Sequence, residues 1–207
     1  LLGITDVSAS RTNELIRGAL SRRVDAIISS GPLEPDIIPV LRASSSLVIQ
    51  IWELPADPIG IAIGFSHEAA GRDVARFLFS RGYRRPHLIT AEGARAIVRR
   101  DGILAEWDVL SGTPCTLASV DIPSRFGHAR RAFADMKHLP DMPDVVVCGS
   151  DYLAPGPIIE AQAAGLRVPD DLAVMGFGNT SLAGDMRPTI TTVDIDGRRI
   201  AREAIAA

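Results

Sequence analysis

The sequence predicts an α/β fold made of two doubly wound parallel-sheet subdomains. Short apolar runs, typical of buried strands, alternate along the chain with helical patterns in which apolar residues recur every three or four positions. The connections are short, and proline and glycine punctuate them rather than the segments themselves. This alternation is typical of parallel sheets that carry helices on both faces.

The first series of elements ends near Gly82. In chain order its predicted elements are a strand over Leu1–Thr5, a helix over Arg11–Arg23, a strand over Ala26–Ser29, a helix over Asp36–Ala43, strands over Leu47–Trp52 and Ile59–Phe65, and a helix from Glu68 to Arg81. Gly82 is interpreted as the stop of the last helix, because glycine readily adopts the left-handed conformation found at helix ends.

The second series begins at Tyr83. Its predicted strands are His87–Thr90, Leu117–Asp121, Val145–Cys148 and Leu172–Met175, and its predicted helices are Ala96–Leu110, Gly127–Lys137 and Ala154–Ala164. A further helical pattern over Arg198–Ala207 has no C-terminal cap, and the chain opens directly on a strand. We therefore expect the chain to be part of a longer protein.

Composition and charge exclude several classes of protein. With 46% hydrophobic residues and a mean hydropathy of +0.17, the 207-residue chain should be globular and bury a sizeable core. Its net charge of −3 lacks the basic balance needed to bind a phosphate backbone. No apolar run is long enough to cross a membrane, and the first residues do not form a secretory signal. Cys115 and Cys148 are predicted to be free thiols, which suits a reducing cytoplasm.

The sequence contains no convincing catalytic, metal or cofactor motif. Gly176-Phe177-Gly178 lacks the third glycine of a dinucleotide loop, and no phosphate-binding Gly-Lys-Ser/Thr sequence is present. The four histidines are scattered without ligand spacing, and Gly149-Ser150-Asp151 is not completed to the nucleophile elbow of a serine hydrolase. We expect no enzyme activity, no metal and no cofactor.

Polar and aromatic residues at predicted strand ends instead indicate a binding site. Trp52 and Glu53 stand at the end of one predicted strand, Ser30 at the end of another, and Ser150-Asp151 just beyond the end of a third. In parallel sheets such ends converge on the ligand crevice. Carboxylate, amide and guanidinium groups bind sugar hydroxyls, and an aromatic face binds the C–H side of the sugar. The predicted ligand-binding residues are Ser30, Trp52, Glu53, Phe65, Arg99, Ser150, Asp151 and Asn179.

Several of these residues also have structural interpretations. Asp151 could cap the helix that follows it, which is a common role of aspartate. Glu53 could be a solvated loop carboxylate and Trp52 could cover the core. Arg99 and its neighbour Arg100 could both be solvated, and Asn179, like Ser181, could stabilise a turn.

Three segments resemble the effector-binding domain of LacI/GalR-type transcription repressors. They are FSHEAAGRDVARFLFSRGYRRPHLIT, ARAIVRRDGILAEW, and VVVCGSDYLAPGPIIEAQAAGLRVPDDLAVMGFGNT with the following RPTITTV. The resemblance covers essentially the whole chain. It implies a periplasmic-binding-protein-like fold with the ligand cleft between its subdomains, divided into residues 1–82 with 190–207 and residues 83–189, so that the chain crosses near Gly82 and Pro188–Thr192.

The resemblance also implies particular effector contacts. They come from Ser30 and Glu53 in the first subdomain, and from Arg99 and Ser150 in the second, where Ser150 replaces a more usual asparagine. The family commonly has aspartate where this chain has Gly178, so one hydroxyl-binding carboxylate is missing. A retained Arg99 then favours an anionic ligand, because guanidinium pairs with carboxylate or phosphate. Gly-Phe-Gly at this position resembles the gluconate-repressor branch, which suggests a sugar acid.

The expected partners follow from the family. They are a sugar or sugar-acid effector, a second copy of the chain in a homodimer, and operator DNA bound by a helix-turn-helix domain that this chain lacks; no membrane is expected. Two alternatives stay open. A solute-binding protein of a sugar transporter shares the fold, and an α/β enzyme acting on a sugar would need a catalytic base that the sequence does not reveal.

Overall fold

The computed structural model describes residue 3 and residues 9–31, 33–136 and 138–207. The described part of the chain forms two compact units, which fall within residues 1–66 with 196–207 (unit 1) and residues 67–195 (unit 2). None of its helices is both long and apolar enough to cross a membrane. The predicted strand Leu1–Thr5 lies almost wholly outside the described residues.

Unit 1 contains a three-stranded parallel sheet in the order β1-β2-β3. Its elements are α1 Ala9–Ser21, β1 Ala26–Ser29, α2 Ile38–Arg42, β2 Leu47–Ile51, β3 Ile61–Ile63 and α8 Gly197–Ala206. A small core joins Ile16 of α1, Leu41 of α2 and Val48 of β2. The first turn of α8 is capped by Asp196, whose carboxylate accepts a hydrogen bond from the Arg199 amide at 2.9 Å.

Unit 2 contains a five-stranded parallel sheet in the order β5-β4-β6-β7-β8. Its elements are α3 His67–Ser80, β4 Pro86–Ala91, α4 Ala94–Ser111, β5 Thr116–Val120, α5 Phe126–Met136, β6 Val145–Cys148, α6 Pro155–Ala163, β7 Ala173–Phe177, α7 Ser181–Asp185 and β8 Thr191–Val193. The chain order reverses between β4 and β6, because β5 lies on one side of β4 and β6 on the other.

The central strand β6 shows how both faces of this sheet are covered. Val145 and Val147 pack in a core with residues of α3 and α4, including Trp107. Val146 and Cys148 pack in a separate core with residues of α5 and α6, including Phe133. Successive side chains of a strand point to opposite faces, so a continuous apolar run is what a doubly covered strand requires. The predicted doubly wound α/β class is confirmed.

The division of the chain differs from the predicted one at both crossings. Unit 2 begins at His67 rather than at residue 83, because α3 packs against α4 and not within unit 1. It also extends to Ile195 rather than to residue 189, because β8 pairs with β7 in register with Met175 opposite Thr191. The short α7 and β8 were not predicted as elements, and the strand predicted over Ile59–Phe65 covers only Ile61–Ile63.

Candidate ligand-binding site

The reversal of strand order in unit 2 marks the edge where a ligand site is expected. The carboxyl ends of β4 and β6 diverge there into the loops that lead to α4 and α6, which is where open α/β sheets hold ligands. Arg99 of α4 reaches this edge, and its Nη2 atom donates a hydrogen bond at 2.9 Å to the backbone oxygen of Gly149, directly after β6. The predicted arginine therefore lies at the sheet edge where the strand order reverses.

Three contacts hold the Arg99 side chain, which is only 8% exposed. Besides the bond to Gly149, its Nη1 atom lies 2.9 Å from Nδ1 of His67. Its Cζ atom lies 3.8 Å from the centre of the Phe177 ring, at the end of β7, in a cation–π arrangement. The interpretation of Arg99 as a solvated residue is wrong. Arg100 instead forms ion pairs with Asp101 at 2.8 Å and Glu92 at 3.8 Å.

The contact with His67 fixes the proton on that imidazole. A guanidinium donates hydrogen bonds and cannot accept them, so Nδ1 of His67 must present its lone pair to Arg99. His67 in this arrangement is therefore neutral and carries its proton on Nε2. The histidine supports the arginine without supplying a compensating negative charge.

Two glycines bring these side chains together by allowing α3 and α4 to touch. A Cβ atom on Gly71 of α3 would lie 2.1 Å from the backbone oxygen of Arg99, and one on Gly102 of α4 would lie 2.4 Å from that of Glu68. One turn further along, the carboxylate of Glu106 pairs with Arg76 at 2.8 Å and Arg72 at 3.1 Å. The position of Arg99 is thus set by the crossing of two helices.

Arg99 is a buried cation without a carboxylate partner among the described residues. Burial, with a smaller contribution from the nearby charge of Arg95, lowers the pKa of Arg99 well below its ordinary value, to about 10. The guanidinium is still charged at neutral pH. The small cavity beside it, lined in part by Thr90, Gly149 and Phe177, measures about 20 Å³. This space suffices for a water molecule but not for a sugar, so a ligand of that size would have to lie outside it.

Asp151 is fully buried and joins the ends of three strands. Its Oδ2 atom accepts a hydrogen bond from the Thr180 amide at 2.7 Å, and its Oδ1 atom accepts one from the Thr192 hydroxyl at 2.6 Å. A Cβ atom on Gly176 would lie 2.3 Å from that same Oδ1, so the strand end needs glycine there. The alternative interpretation of Asp151 as the cap of α6 is wrong, because the N-cap residue is Ala154 and no side chain caps the helix.

The loop after β7 contacts a carboxylate, Asp194, at the edge where the sequence predicts that one is missing. Gly178 has a φ of +124°, a conformation that disfavours any side chain, and Asn179 follows with a φ of 48°, which asparagine tolerates. The Asn179 side chain donates a hydrogen bond to Asp194 Oδ1 at 3.0 Å. Asp194 lies just beyond β8 and is exposed, so it is available near the position where the predicted carboxylate is missing.

In unit 1 the predicted residues all follow the carboxyl ends of its parallel strands. Ser30 comes after β1, Trp52 and Glu53 after β2, and Phe65 after β3. The sheet therefore brings all four to one edge. Ser30 is exposed and the other three are half-buried. The ligand contacts of these four residues, and the alternative roles of Trp52 and Glu53, stay predictions.

The backbone at Trp52 is strained. Its φ is +77°, which is uncommon for any residue with a side chain and rare for a bulky one. The Trp52 amide donates to the Ile63 oxygen at 2.9 Å. A Cβ atom on Gly64 would lie 2.3 Å from the Glu53 nitrogen, so this close turn requires glycine. The outer edge of the Trp52 ring packs against Gly197 of α8. Strain of this kind concentrates at functional sites, which favours a binding role for this turn.

Sequence reasoning missed His67, Asp194 and Thr192 as members of these edges. His67 was grouped with scattered histidines, although Gly71 and Gly102 signal a close helix crossing that could have placed it beside Arg99.

The two cysteines are free thiols, as predicted. Burial raises the pKa of Cys115 to about 12 and raises that of Cys148 further, so neither is primed as a nucleophile.

Comparison with known proteins gives a consistent result. The sequence profile of the periplasmic binding protein-like domain matches residues 75–207. Catabolite control protein A of Staphylococcus epidermidis is 25% identical over 204 residues, which cover 93% of this chain and 59% of that protein. The chain spans between 23% and 59% of the lengths of the first curated relatives it matches.

Two solved structures have similar folds and similar sequences. A LacI family transcriptional regulator from Silicibacter pomeroyi has a TM-score of 0.89 and 30% identity, over 98% of this chain and 77% of that one. The transcription regulator GntR from Chromobacterium violaceum has a TM-score of 0.90 and 29% identity, over 99% of this chain and 76% of that one.

Proposed function

Because this chain belongs to the periplasmic binding protein-like domains of the LacI family, we propose that it binds a small-molecule effector and thereby controls DNA binding by another part of the same regulator. The family assigned from the sequence motifs is confirmed. The identity of the effector, the regulatory output and the partners belong to the proposal.

The observation that carries the proposed ligand class is the unpaired charge of Arg99. Burying a cation without an anion costs free energy, and a ligand that supplies the anion recovers part of that cost. The side chain is already held by Gly149, His67 and Phe177, so little conformational entropy is lost when a ligand binds. We propose a sugar acid, whose carboxylate accepts hydrogen bonds from Arg99 and whose hydroxyls bind the remaining polar groups. The Gly-Phe-Gly sequence that resembles the gluconate-repressor branch supports the same class.

The proposed contacts come from both units. In unit 2 they are Arg99, Ser150 and Asn179, and in unit 1 they are Ser30, Trp52, Glu53 and Phe65. Asp151 acts as a positioning residue, because both of its oxygens already accept bonds from Thr180 and Thr192. A ligand that binds one arrangement of such a chain better than another shifts the population toward it. That shift is the proposed signal, and we place it in the cytoplasm, where operator DNA is found.

A homodimer is also part of the proposal. Phe126, Tyr152 and Ile159 of unit 2 expose 51%, 61% and 39% of their surface. Phe126 lies beside Gly156, because a Cβ atom on that glycine would be 2.6 Å from the Phe126 oxygen, and Tyr152 and Ile159 flank Gly156 along the chain. An apolar surface of this kind favours contact with a second copy.

Calorimetric titration tests the ligand class. The whole 207-residue chain is titrated with gluconate and with glucose, beside the Arg99→Gln and Arg100→Gln variants. Gluconate should bind the unchanged chain and bind Arg99→Gln about 10 to 100 times more weakly, as expected for a lost charged hydrogen bond. Arg100→Gln removes the same charge from the adjacent position and should change affinity by less than about threefold. Binding of glucose without binding of gluconate would contradict the proposal.

A further inference from the structure

A second cavity lies in unit 2 at the amino-terminal edge of the sheet, opposite the edge that carries Arg99. Its volume is about 300 Å³, and it extends from the end of α3 to the start of β8. Val145, the first residue of β6, lines this cavity, whereas Gly149 follows the last residue of β6 at the Arg99 edge. Four residues of strand separate the two edges by about 13 Å. The two sites are therefore separate.

The cavity exists because β8 is shorter than β7. Thr191, the first residue of β8, lies opposite Met175, so Ala173 and Val174 at the start of β7 have no β8 partner. The Ala173 amide donates to the Asp144 oxygen toward β6, at 3.0 Å. The backbone N–H and C=O groups of successive strand residues point to opposite sides, so those of Val174 point to the side that β8 leaves uncovered. The uncovered strand end forms a wall of the cavity.

The walls combine apolar and polar groups. Leu78 and Met175 belong to one core of unit 2, and Ile158 and Val174 to the other. The polar residues of the lining are Tyr83, Thr189, Thr191 and Arg81, which directly follows α3. An apolar cavity with a few polar groups on one side is the usual form of a small-molecule site.

The charge of the lining selects the ligand. Arg81 is the one charged residue among those that line the cavity, and it has no ion-pair partner in the described part of the chain. The apolar walls disfavour a fully hydrated inorganic anion, which would have to give up its water there. A volume near 300 Å³ corresponds to about ten water-sized groups. We propose that this cavity binds a small organic carboxylate with an apolar body, its carboxylate on Arg81.

Benzoate is a suitable probe because it combines a carboxylate with a flat apolar ring. Binding to the whole chain is measured by calorimetry and by amide chemical shifts, beside benzamide, inorganic phosphate and two variants. Arg81→Gln should weaken benzoate binding at least about tenfold, as should replacing benzoate by neutral benzamide. The matched control Arg131→Gln removes an exposed charge from α5 and should leave the affinity within about threefold. Phosphate should not bind in the cavity.

A second variant tests the location by shape. Thr189→Phe adds a ring at the rim of the cavity and should abolish benzoate binding while the chain stays folded, as judged by circular dichroism. Benzoate should also still bind when gluconate is saturating, which separates this site from the proposed effector site. The inference is overturned if benzoate fails to bind at tens of millimolar. It is also overturned if Arg81→Gln and Arg131→Gln behave alike, or if gluconate displaces benzoate.

Discussion

The two units hold their candidate binding residues by different physical means. Among the described residues, seven polar or charged side chains are buried, and six of them lie in unit 2; Gln50 is the exception in unit 1. In unit 2 the site edge is fixed by side-chain bonds to Arg99 and Asp151. In unit 1 the corresponding edge depends on backbone geometry, with the strained Trp52 next to Gly64. Unit 2 thus holds a preorganised buried cation at its edge, whereas unit 1 presents an aromatic residue on a strained turn.

The largest expected effect on stability comes from replacing a glycine at the crossing of α3 and α4, beside Arg99. Gly102→Val should lower the free energy of unfolding by about 3 kcal/mol, because the new side chain would collide with the backbone of Glu68. The control is Gly18→Ala in α1 of unit 1, where nothing lies within 4 Å of the new Cβ atom. That variant should be stabilised by about 0.5 to 1 kcal/mol. Thermal and denaturant unfolding measure both, and equal effects at the two glycines would refute the close helix crossing.

Asp151 separates a positioning role from a ligand contact. Asp151→Ala should cost about 2 to 3 kcal/mol of stability, because the part-buried Thr180 amide and the Thr192 hydroxyl both lose their acceptor. Asp151→Asn keeps an oxygen for that amide and places an NH₂ group against the Thr192 hydroxyl, which can rotate to accept it, so this variant should cost less than about 1 kcal/mol. Gluconate affinity of Asp151→Asn is the deciding measurement. A loss of 100-fold or more at unchanged stability would make Asp151 a direct contact instead.

The buried polar residues of unit 2 also predict a pH dependence. Burial lowers the pKa of His87 from 6.5 to about 4, and its Nδ1 atom lies 2.8 Å from the Thr116 hydroxyl. As the pH falls, His87 therefore becomes protonated in the unfolded chain before it does in the folded chain. The contribution of neutral His87 to the free energy of unfolding is complete above pH 6.5 and is lost as the pH falls toward 4. The loss is at most about 3 kcal/mol. Denaturant unfolding from pH 7 to pH 4 should show a shallower decline for His87→Gln; parallel curves would remove His87 as a cause.

The smallest stability effect is expected at the strained turn of unit 1. Trp52→Asn relieves the left-handed backbone, since asparagine tolerates that conformation, but it loses the packing of the ring on Gly197. Because these changes oppose each other, the free energy of unfolding of the variant should lie within about 1 kcal/mol of that of the unchanged chain. Gluconate affinity should nevertheless fall about tenfold if the ring covers the ligand. Unchanged affinity would show that Trp52 only packs against α8.

Sequence patterns predicted most of this architecture because apolar runs and helical periods report burial directly. The short α7 and β8 escaped because Ser181–Asp185 and Thr191–Val193 are too short and polar to show a period; β8 forms only because β7 offers it a partner. The motif resemblance pointed to Arg99, and its role in ligand binding stays a prediction. The partners of Arg99 and Asp151 could not be predicted, because His67, Thr180 and Thr192 reach them through tertiary contacts that leave no local signal.

A crystal structure of the chain grown with gluconate tests the central claim most directly. We predict a gluconate carboxylate oxygen within hydrogen-bond distance of the Arg99 guanidinium, about 2.7 to 2.9 Å from a nitrogen atom, with His67 and Gly149 still in contact with the same side chain. A gluconate molecule whose carboxylate lies away from Arg99, with only its hydroxyls at this edge, would contradict the claim that the buried cation selects the ligand.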